Sequence, residues 1–299
     1  MRSLAAWLGC AIGAVAACAE GDTIRPVKLA LQGDDESVYA KPMPPSEGDL
    51  YNQGGVNLDL RVRYMTDHVF RGVDRSEVGG REDATNLQFE GLVAFNLGQR
   101  VPHPFLGVFV NVFDSDPVSR FQEIRPIFGA ELKLRPLVFA VGHNSYIFPN
   151  REDQDTTEGW AKVTLMDGEL FRTPNAEPIL SPYILAAYDY GVFNGWYFEA
   201  GIRHEFVIEG TGLTLTVDAL ASYSMGIELF AQTPGGEDTG FQRWEIGLTA
   251  RYSLNQLLNI PRRYGQWAIS GYVRYTDNLS DELRADTQVW GGVGIEFSY

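Results

Sequence analysis

Apolar and polar positions alternate with a period of two over long stretches of the chain, beginning at Leu58. Because successive side chains of a β-strand point to opposite faces, this alternation predicts strands with one apolar and one polar face. Twelve strands are predicted in this way. They lie near residues 58–64, 86–97, 104–113, 121–134, 137–147, 158–167, 179–190, 195–207, 212–224, 241–253, 265–276 and 287–299.

An even number of strands, each followed by a turn signal, is typical of a closed antiparallel barrel. Strands of about 10 to 14 residues suit a tilted crossing of hydrocarbon better than the 5 or 6 residues usual in globular sheets. A water-soluble sandwich, with its apolar rows in a core about 10 Å thick, is the alternative. We predict an all-β fold, a closed antiparallel transmembrane β-barrel of about 12 strands over residues 57–299.

Aromatic residues near the ends of the apolar rows would meet lipid headgroups in such a barrel. They are Trp196, Trp244, Trp267, Tyr252, Tyr275 and Tyr299.

Charged residues of both signs occupy the polar face and are predicted to line a pore. They are Asp59, Arg61, Arg63, Glu90, Glu131, Lys133, Lys162, Glu199, Arg203, Glu205, Asp218, Arg243, Glu245, Arg251 and Arg274. With Glu123, Arg125 and Glu296 the face holds nine acidic and nine basic residues, which predicts a polar, paired interior.

The connections between the strands also alternate in character. If the N-terminus is periplasmic, the odd connections lie outside and hold sixteen acidic residues, in segments such as "DSDP" and "NREDQD". The even connections contain tight turns, except that 168–178 and 254–264 are longer, and the second of these is predicted to form a short helix.

The N-terminus reads as an export signal over residues 1–19, with Arg2 before an apolar core. Cleavage after Ala19 and cleavage before Cys18, with lipidation of that cysteine, are both open. In either case no disulfide is expected. Residues 20–56 are Pro-rich, acidic and unpatterned, which predicts a flexible periplasmic arm, with a plug inside the lumen as the alternative.

Composition excludes some functions. The formal net charge of −15 argues against nucleic-acid binding, because phosphate neutralisation needs clustered Lys and Arg. No run of about 18 apolar residues follows residue 20, so no transmembrane helix is predicted. No cofactor and no metal site is expected, and the oligomeric state is open.

Several segments resemble the TorF-type porin family in the family's order. They are "LRVRYMTDHVFRGVDRSE" from Leu60, "YIFPNREDQDTTEGWAKV" from Tyr146, "SPYILAAYDYGVFNGWYFEAGIRHEF" from Ser181, "GLTLTVDALASYS" from Gly212 and the closing "GGVGIEFSY". The resemblance covers about residues 57–299 and implies an outer-membrane barrel that passes small solutes and has no catalytic residues. Several loops and residues 20–55 depart from the family's form.

The same resemblance implies that the last strand is the signal by which the barrel assembly machinery recognises the chain. Such strands end on an aromatic residue with apolar residues at alternating positions before it. Here these positions are Val293, Ile295, Phe297 and Tyr299.

Two short motifs have both a functional and a structural interpretation. His143 and Ser145 lie two apart on a strand, as in barrel lipid hydrolases such as outer-membrane phospholipase A, although the Asn-Gly that follows the serine there is missing and no partner for the histidine is evident. The alternative is a polar rim at a strand end. Arg71, in "FRG", is either an anion contact at the pore mouth or, as we favour, a rim arginine paired with a loop carboxylate.

The sequence thus predicts an outer-membrane porin with a narrow lumen of mixed charge, and not an enzyme. A sealed barrel that serves as a scaffold or anchor and a lipid hydrolase using His143 and Ser145 are the alternatives. The expected partners are outer-membrane lipid, the barrel assembly machinery and small solutes.

Overall fold

A computed structural model describes residues 55–76, 85–97, 100–113, 121–149, 154–173, 178–233, 235–236 and 238–299. The predicted leader and nearly all of the predicted arm, residues 1–54, lie outside this part. The strands in chain order are β1 Val56–Met65, β2 Val69–Phe70, β3 Val73–Asp74, β4 Asn86–Phe95, β5 His103–Phe113, β6 Phe121–Leu134, β7 Leu137–Tyr146, β8 Thr156–Leu165, β9 Tyr183–Asp189, β10 Trp196–Ile208, β11 Leu213–Met225, β12 Gly240–Ser253, β13 Gln266–Asn278 and β14 Gln288–Ser298.

All strands except the small β2–β3 hairpin form one closed antiparallel barrel. The barrel closes where β1 pairs with β14, with Arg61 opposite Glu296. Tyr299 continues this pairing, because its backbone donates to and accepts from Leu58 at 2.8 and 2.7 Å. The prediction of a closed barrel of about 12 strands is confirmed.

The outer face of the barrel is apolar and exposed, whereas alternate residues on the same strands are buried inside. On β14, for example, Val293 and Ile295 are 56% and 51% exposed, while Trp290 is buried in the interior. Exposing such a large apolar surface to water is energetically unfavourable. An exposed apolar belt around a closed barrel therefore indicates contact with lipid.

Aromatic side chains ring both ends of this belt. Val56 and Tyr299 lie at one end of the barrel, here called the near end, where Trp267 packs on Phe297 with ring centroids 4.6 Å apart. At the opposite, far end several pairs lie on the outer surface, including Tyr188–Trp196 at 4.8 Å and Trp244–Tyr275 at 5.3 Å. Rings at these levels match the interfacial girdles of transmembrane barrels.

The two ends differ in their connections. At the near end, 135–136 and 209–212 are tight turns, whereas 166–182 and 254–265 are longer and contain the helices Asp167–Leu170 and Leu254–Leu258. The helix predicted in the second is therefore confirmed. Strand β9 begins at Tyr183 and not near 179, because the Asp167 carboxylate accepts from the backbone N–H groups of Ile179 and Leu180 at 2.8 and 2.6 Å. No helix in the described residues is long and apolar enough to cross a membrane.

An apolar cluster fills one side of the barrel interior. Phe105 and Trp160 stack there with centroids 6.2 Å apart. Glycines make room for both rings, because a Cβ on Gly129 would overlap the Phe105 ring and a Cβ on Gly142 would overlap the indole of Trp160. Charged and polar residues occupy the rest of the interior.

Candidate functional site: the barrel lumen

The charged residues predicted to line a pore all lie at inward-facing positions of their strands. They are Asp59, Arg61, Arg63, Glu90, Glu131, Lys133, Lys162, Glu199, Arg203, Glu205, Asp218, Arg243, Glu245, Arg251 and Arg274. Their role in lining an open pore stays a prediction.

The far-end half of the lumen is occupied by the β2–β3 hairpin, which the strand pattern did not predict. The hairpin follows β1 and turns at Arg71 and Gly72, which both have positive φ angles, 50° and 78°. Two consecutive residues with positive φ form the two-residue turn that joins twisted antiparallel strands most readily. Gly72 is also required for space, because a Cβ there would lie 2.5 Å from Cδ of Arg243.

Arg71 anchors the tip of this hairpin to the barrel wall. It is buried, and its Nη2 atom donates to both carboxylate oxygens of Glu158 on β8, at 3.1 and 2.8 Å. Glu158 also accepts from Asn144 at 2.9 Å and from the Tyr146 hydroxyl at 2.6 Å. The guanidinium lies over the ring of Tyr197, 4.1 Å from its centroid. Arg71 therefore lies inside the barrel and pairs with a strand carboxylate, so its prediction as a rim residue is wrong.

A second anchor lies at the base of the hairpin. Glu123 on β6 accepts from Arg75 at 3.0 Å and from the neighbouring Arg125 at 2.6 Å, and it contacts the ring of His68 at 3.1 Å. Arg75 also lies over the Phe70 ring, 3.7 Å from its centroid. Two buried carboxylates of the wall thus neutralise the arginines that the hairpin carries into the lumen.

Polar contacts also join the hairpin to the last far-end connection. The Gln242 amide on β12 donates to the carbonyl oxygens of Arg71 and Arg284, both at 3.0 Å. The backbone N–H of Asp286 donates to the carbonyl of Gly72 at 2.7 Å. The hairpin is therefore held from three sides, by β6, by β8 and by the segment before β14.

A network of charges runs along the inner wall over the neighbouring strands β10 to β13. Arg274 donates to Asp218 and Glu245 at 2.9 and 2.7 Å. Arg243 contacts Glu245 as well, and its Nη2 lies 3.8 Å from Glu199. Arg243, Glu245 and Arg274 are buried, and the signs alternate along the network, as expected of charges that offset each other's desolvation cost.

The remaining ion pairs of the lumen differ in how deeply they are buried. Arg61 and Arg63 both contact Glu90, at 3.5 and 3.3 Å, and Arg251 donates to Glu296 at 2.8 Å. Farther along, Lys133 keeps 36% of its side chain exposed although it lies 3.7 Å from Glu131. Exposure among these pairs is therefore concentrated on Lys133, Arg251 and Arg61, whereas Arg63, Glu90 and Glu296 are buried.

The motif His143–Ser145 lies on the other side of the wall. Both side chains are on the outward face of β7, half-buried, and His143 Nε2 lies 3.0 Å from Ser145 Oγ. The histidine Nδ1 atom lies 2.5 Å from the hydroxyl oxygen of Tyr190, which is in the connection after β9. The partner for the histidine that the sequence did not reveal is therefore Tyr190.

Sequence reasoning missed two further groups, Glu158 and the hairpin that it holds. Glu158 lies near the start of the ordinary alternating strand β8, so its neighbouring residues give no sign that it binds the hairpin. The "FRGV" segment does carry a signal, since Gly after a residue able to adopt positive φ, between short apolar pairs, is a hairpin turn. Two strands of two residues each are too short to be seen in a periodicity.

The assembly-signal residues Val293, Ile295, Phe297 and Tyr299 occupy alternating positions that face outward. Nothing in the fold tests their recognition by assembly machinery, so this role stays a prediction.

No protein-family model and no curated protein matches the chain. Among solved structures, the chain is similar to the NanC porin, with 11% identity over 80% of this chain and 98% of that chain, and a TM-score of 0.47. An outer membrane channel from Pseudomonas putida F1 matches with 9% identity over 86% and 100% of the two chains, and a TM-score of 0.45. The KdgM porin in complex with disordered oligogalacturonate matches with 10% identity over 81% and 99%, and a TM-score of 0.40. These similarities are too distant to assign a function, and the resemblance to the TorF-type family stays a prediction.

Proposed function

We propose that this protein is an outer-membrane channel that passes small solutes through a narrow lumen of mixed charge. The observation that carries the proposal is a closed barrel with an exposed apolar outside and an inside lined by charges of both signs. The tight turns 135–136 and 209–212 at the near end support a periplasmic near end and an extracellular far end. The predicted export signal supports the same localisation.

In this proposal the β2–β3 hairpin determines the width of the channel. It occupies the extracellular half of the lumen, and polar contacts through Arg71 and Arg75 hold it there. Removing one partner of a buried ion pair costs about 3 to 5 kcal/mol, because the other charge is left uncompensated. Loss of one anchor is therefore expected to weaken the docked position of the hairpin and widen the path.

A sealed barrel that acts as a scaffold or anchor is the second candidate. It is favoured by the contacts that cover the far end, where Ala231 and Leu283 form a β-bridge between two connections. Phe230 is also buried there beneath them.

Planar-bilayer recordings of the refolded chain separate these candidates. We expect small current steps from the wild type and larger or more frequent steps from Glu158→Gln. Arg135→Gln is the matched control, because it removes an ion pair with Glu169 at 3.1 Å in which the arginine side chain is 77% exposed, outside the lumen. Its steps should equal those of the wild type. Absence of current in all three proteins, with intact β-sheet circular dichroism, would establish the sealed barrel.

A further inference from the structure

A hydrogen-bonded chain of three polar side chains lies on the outer surface of the barrel, where apolar residues are expected. It runs from Ser145 through His143 to Tyr190. A hydroxyl, an imidazole and a group that orients the imidazole, in this order, are the parts that activate a serine nucleophile. A channel has no use for this arrangement, since the wall of the barrel separates it from the lumen.

Tyr190 is held in place by the connection that carries it. The buried Asp189 carboxylate accepts from the backbone N–H groups of Gly191 and Phe193 at 3.0 and 3.2 Å, and from the Thr156 hydroxyl at 2.8 Å. Gly191 packs so closely on β8 that a Cβ there would lie 2.5 Å from the Thr156 hydroxyl oxygen. These contacts fix the backbone of the connection from which the Tyr190 side chain reaches His143.

The surroundings of the site suit a lipid. It lies at the level of the far-end aromatic pairs, where amphipathic rings meet headgroups. The site adjoins exposed apolar surface, because Phe128, directly opposite His143 in the strand pairing, and Val141, two residues before it on β7, are 51% and 55% exposed. The His143 ring packs on Phe128 with centroids 4.7 Å apart. An acyl chain lying along Phe128 and Val141 would place its ester group beside Ser145.

We propose that Ser145, His143 and Tyr190 form a site that hydrolyses a fatty-acyl ester of a membrane lipid. Ser145 and His143 are the catalytic residues, and Tyr190 is a positioning residue. Thr157 lies directly opposite Ser145 in the strand pairing and offers a second hydroxyl on the same outer face. This activity is separate from the proposed channel and does not depend on an open lumen.

The reaction has two steps, acylation of Ser145 and hydrolysis of the acyl-serine. Ser145 Oγ forms a bond to the acyl carbonyl carbon, its proton passes to His143 Nε2, and the carbon–oxygen bond to the lipid alcohol breaks as that oxygen takes the proton. Water then attacks the acyl-serine, giving a proton to Nε2, and the free fatty acid leaves as the proton returns to Ser145. Throughout, the Nδ1–H of His143 donates to the Tyr190 oxygen.

The first test is covalent labelling of the folded chain in detergent micelles by an alkyl fluorophosphonate, read by peptide mass spectrometry. A nucleophilic Ser145 bonds to phosphorus and releases fluoride. We expect labelling of the wild type, none of Ser145→Ala, and a labelling rate lower by about 10²- to 10⁴-fold in His143→Asn. His204→Asn is the matched control, because His204 also faces outward and instead contacts the Ile179 carbonyl oxygen and the Phe206 ring. Its labelling should match that of the wild type.

The second test identifies the lipid and the role of Tyr190. Release of fatty acid is measured from vesicles of phosphatidylethanolamine and phosphatidylglycerol, and separately from purified lipopolysaccharide. Release from either preparation supports the proposal and identifies the source of the ester. Tyr190→Phe keeps the ring but removes the hydroxyl, so kcat should fall while KM is unchanged, a split that a merely structural residue would not produce.

Folding of each variant is checked by the heat-dependent mobility shift that barrels show in gel electrophoresis. A folded wild type that is not labelled, or that is labelled equally after His143→Asn, would overturn the proposal. Labelling without fatty-acid release from either lipid would overturn the assignment of a lipid ester. A kcat unchanged in Tyr190→Phe would remove Tyr190 from the site.

Discussion

At the scale of single residues, the face of a strand decides what a side chain must do. Asp218 and Ala219 are neighbours on β11, yet Asp218 accepts from Arg274 in the lumen at 2.9 Å and Ala219 lies outside. There Ala219 is paired with Ile202 on one side and Ile246 on the other. Neighbouring positions therefore face media of different polarity, and substitutions at them should differ in effect.

Ala219→Arg is expected to impair folding into lipid, because a cation near the bilayer midplane of a barrel costs about 2 to 4 kcal/mol. Asp218→Asn is the matched control. It keeps an oxygen that can accept from Arg274, and Arg274 retains Glu245 at 2.7 Å. The folded fraction in lipid vesicles, measured by gel mobility across a urea titration, checks this prediction. Equal effects of both substitutions would show that the apolar face does not meet lipid.

At the scale of elements, the strands were predictable and the hairpin was not. The barrel strands can be recognised in the sequence because each is long and separates an apolar outer surface from a polar interior. Apolar and polar residues therefore alternate over many positions. Val69, Phe70 and Val73 are buried without such a pattern, because the whole hairpin lies inside the lumen and has no face toward lipid. The inward position of Arg71 depends on its ion pair with Glu158, 87 residues away in sequence, and this contact cannot be inferred from the residues next to Arg71.

The same reasoning explains why one part of the outer site was predicted and another was missed. His143 and Ser145 share a face because they are two residues apart on one strand, which the sequence states directly. Tyr190 reaches His143 only because β9 follows β8 around the barrel and the connection after β9 folds back over β8, where the Tyr190 N–H donates to the Thr157 carbonyl at 3.1 Å. The contact between Tyr190 and His143 depends on strand register and on the path of the connection, and a short sequence motif predicts neither.

The alternating up-and-down direction of successive strands predicts which connections lie on the cell exterior. Cysteines introduced at Asp153 and Gly236 should react with a membrane-impermeant thiol reagent on intact cells, because the strands β7 and β8 and the strands β11 and β12 are joined at the far end. Asp153 itself lies outside the described residues. A cysteine at Glu209 should not react, because the turn 209–212 lies at the near end with Val56 and Tyr299. The only native cysteines are Cys10 and Cys18, in or beside the predicted leader, so little background is expected. The opposite labelling pattern would invert the orientation of the barrel.

At the scale of the whole molecule, charge is distributed unevenly. Loss of Arg2 with the leader would change the formal net charge from −15 to −16, while the inward rows balance at nine acidic and nine basic residues. The excess of acidic residues therefore lies outside these rows, mainly in the far-end connections, which hold sixteen acidic residues, and in residues 20–55, which hold seven acidic and three basic residues. The hairpin increases this difference, because it carries Arg71 and Arg75 away from the mouth to buried carboxylates of the wall.

This distribution predicts a selectivity that depends on salt. An acidic mouth raises the local concentration of cations, but its field reaches only about 8 Å at physiological ionic strength and about 3 Å at 1 M. The paired lumen adds little field of its own, since its ion pairs lie within contact distance. We therefore expect the channel to be mildly cation-selective in dilute salt and nearly unselective at about 1 M. Reversal potentials across a salt gradient, measured at both concentrations and on the Glu158→Gln variant, check this. Preference for anions, or a cation preference that salt leaves unchanged, would mean that the lumen sets the field and the mouth does not.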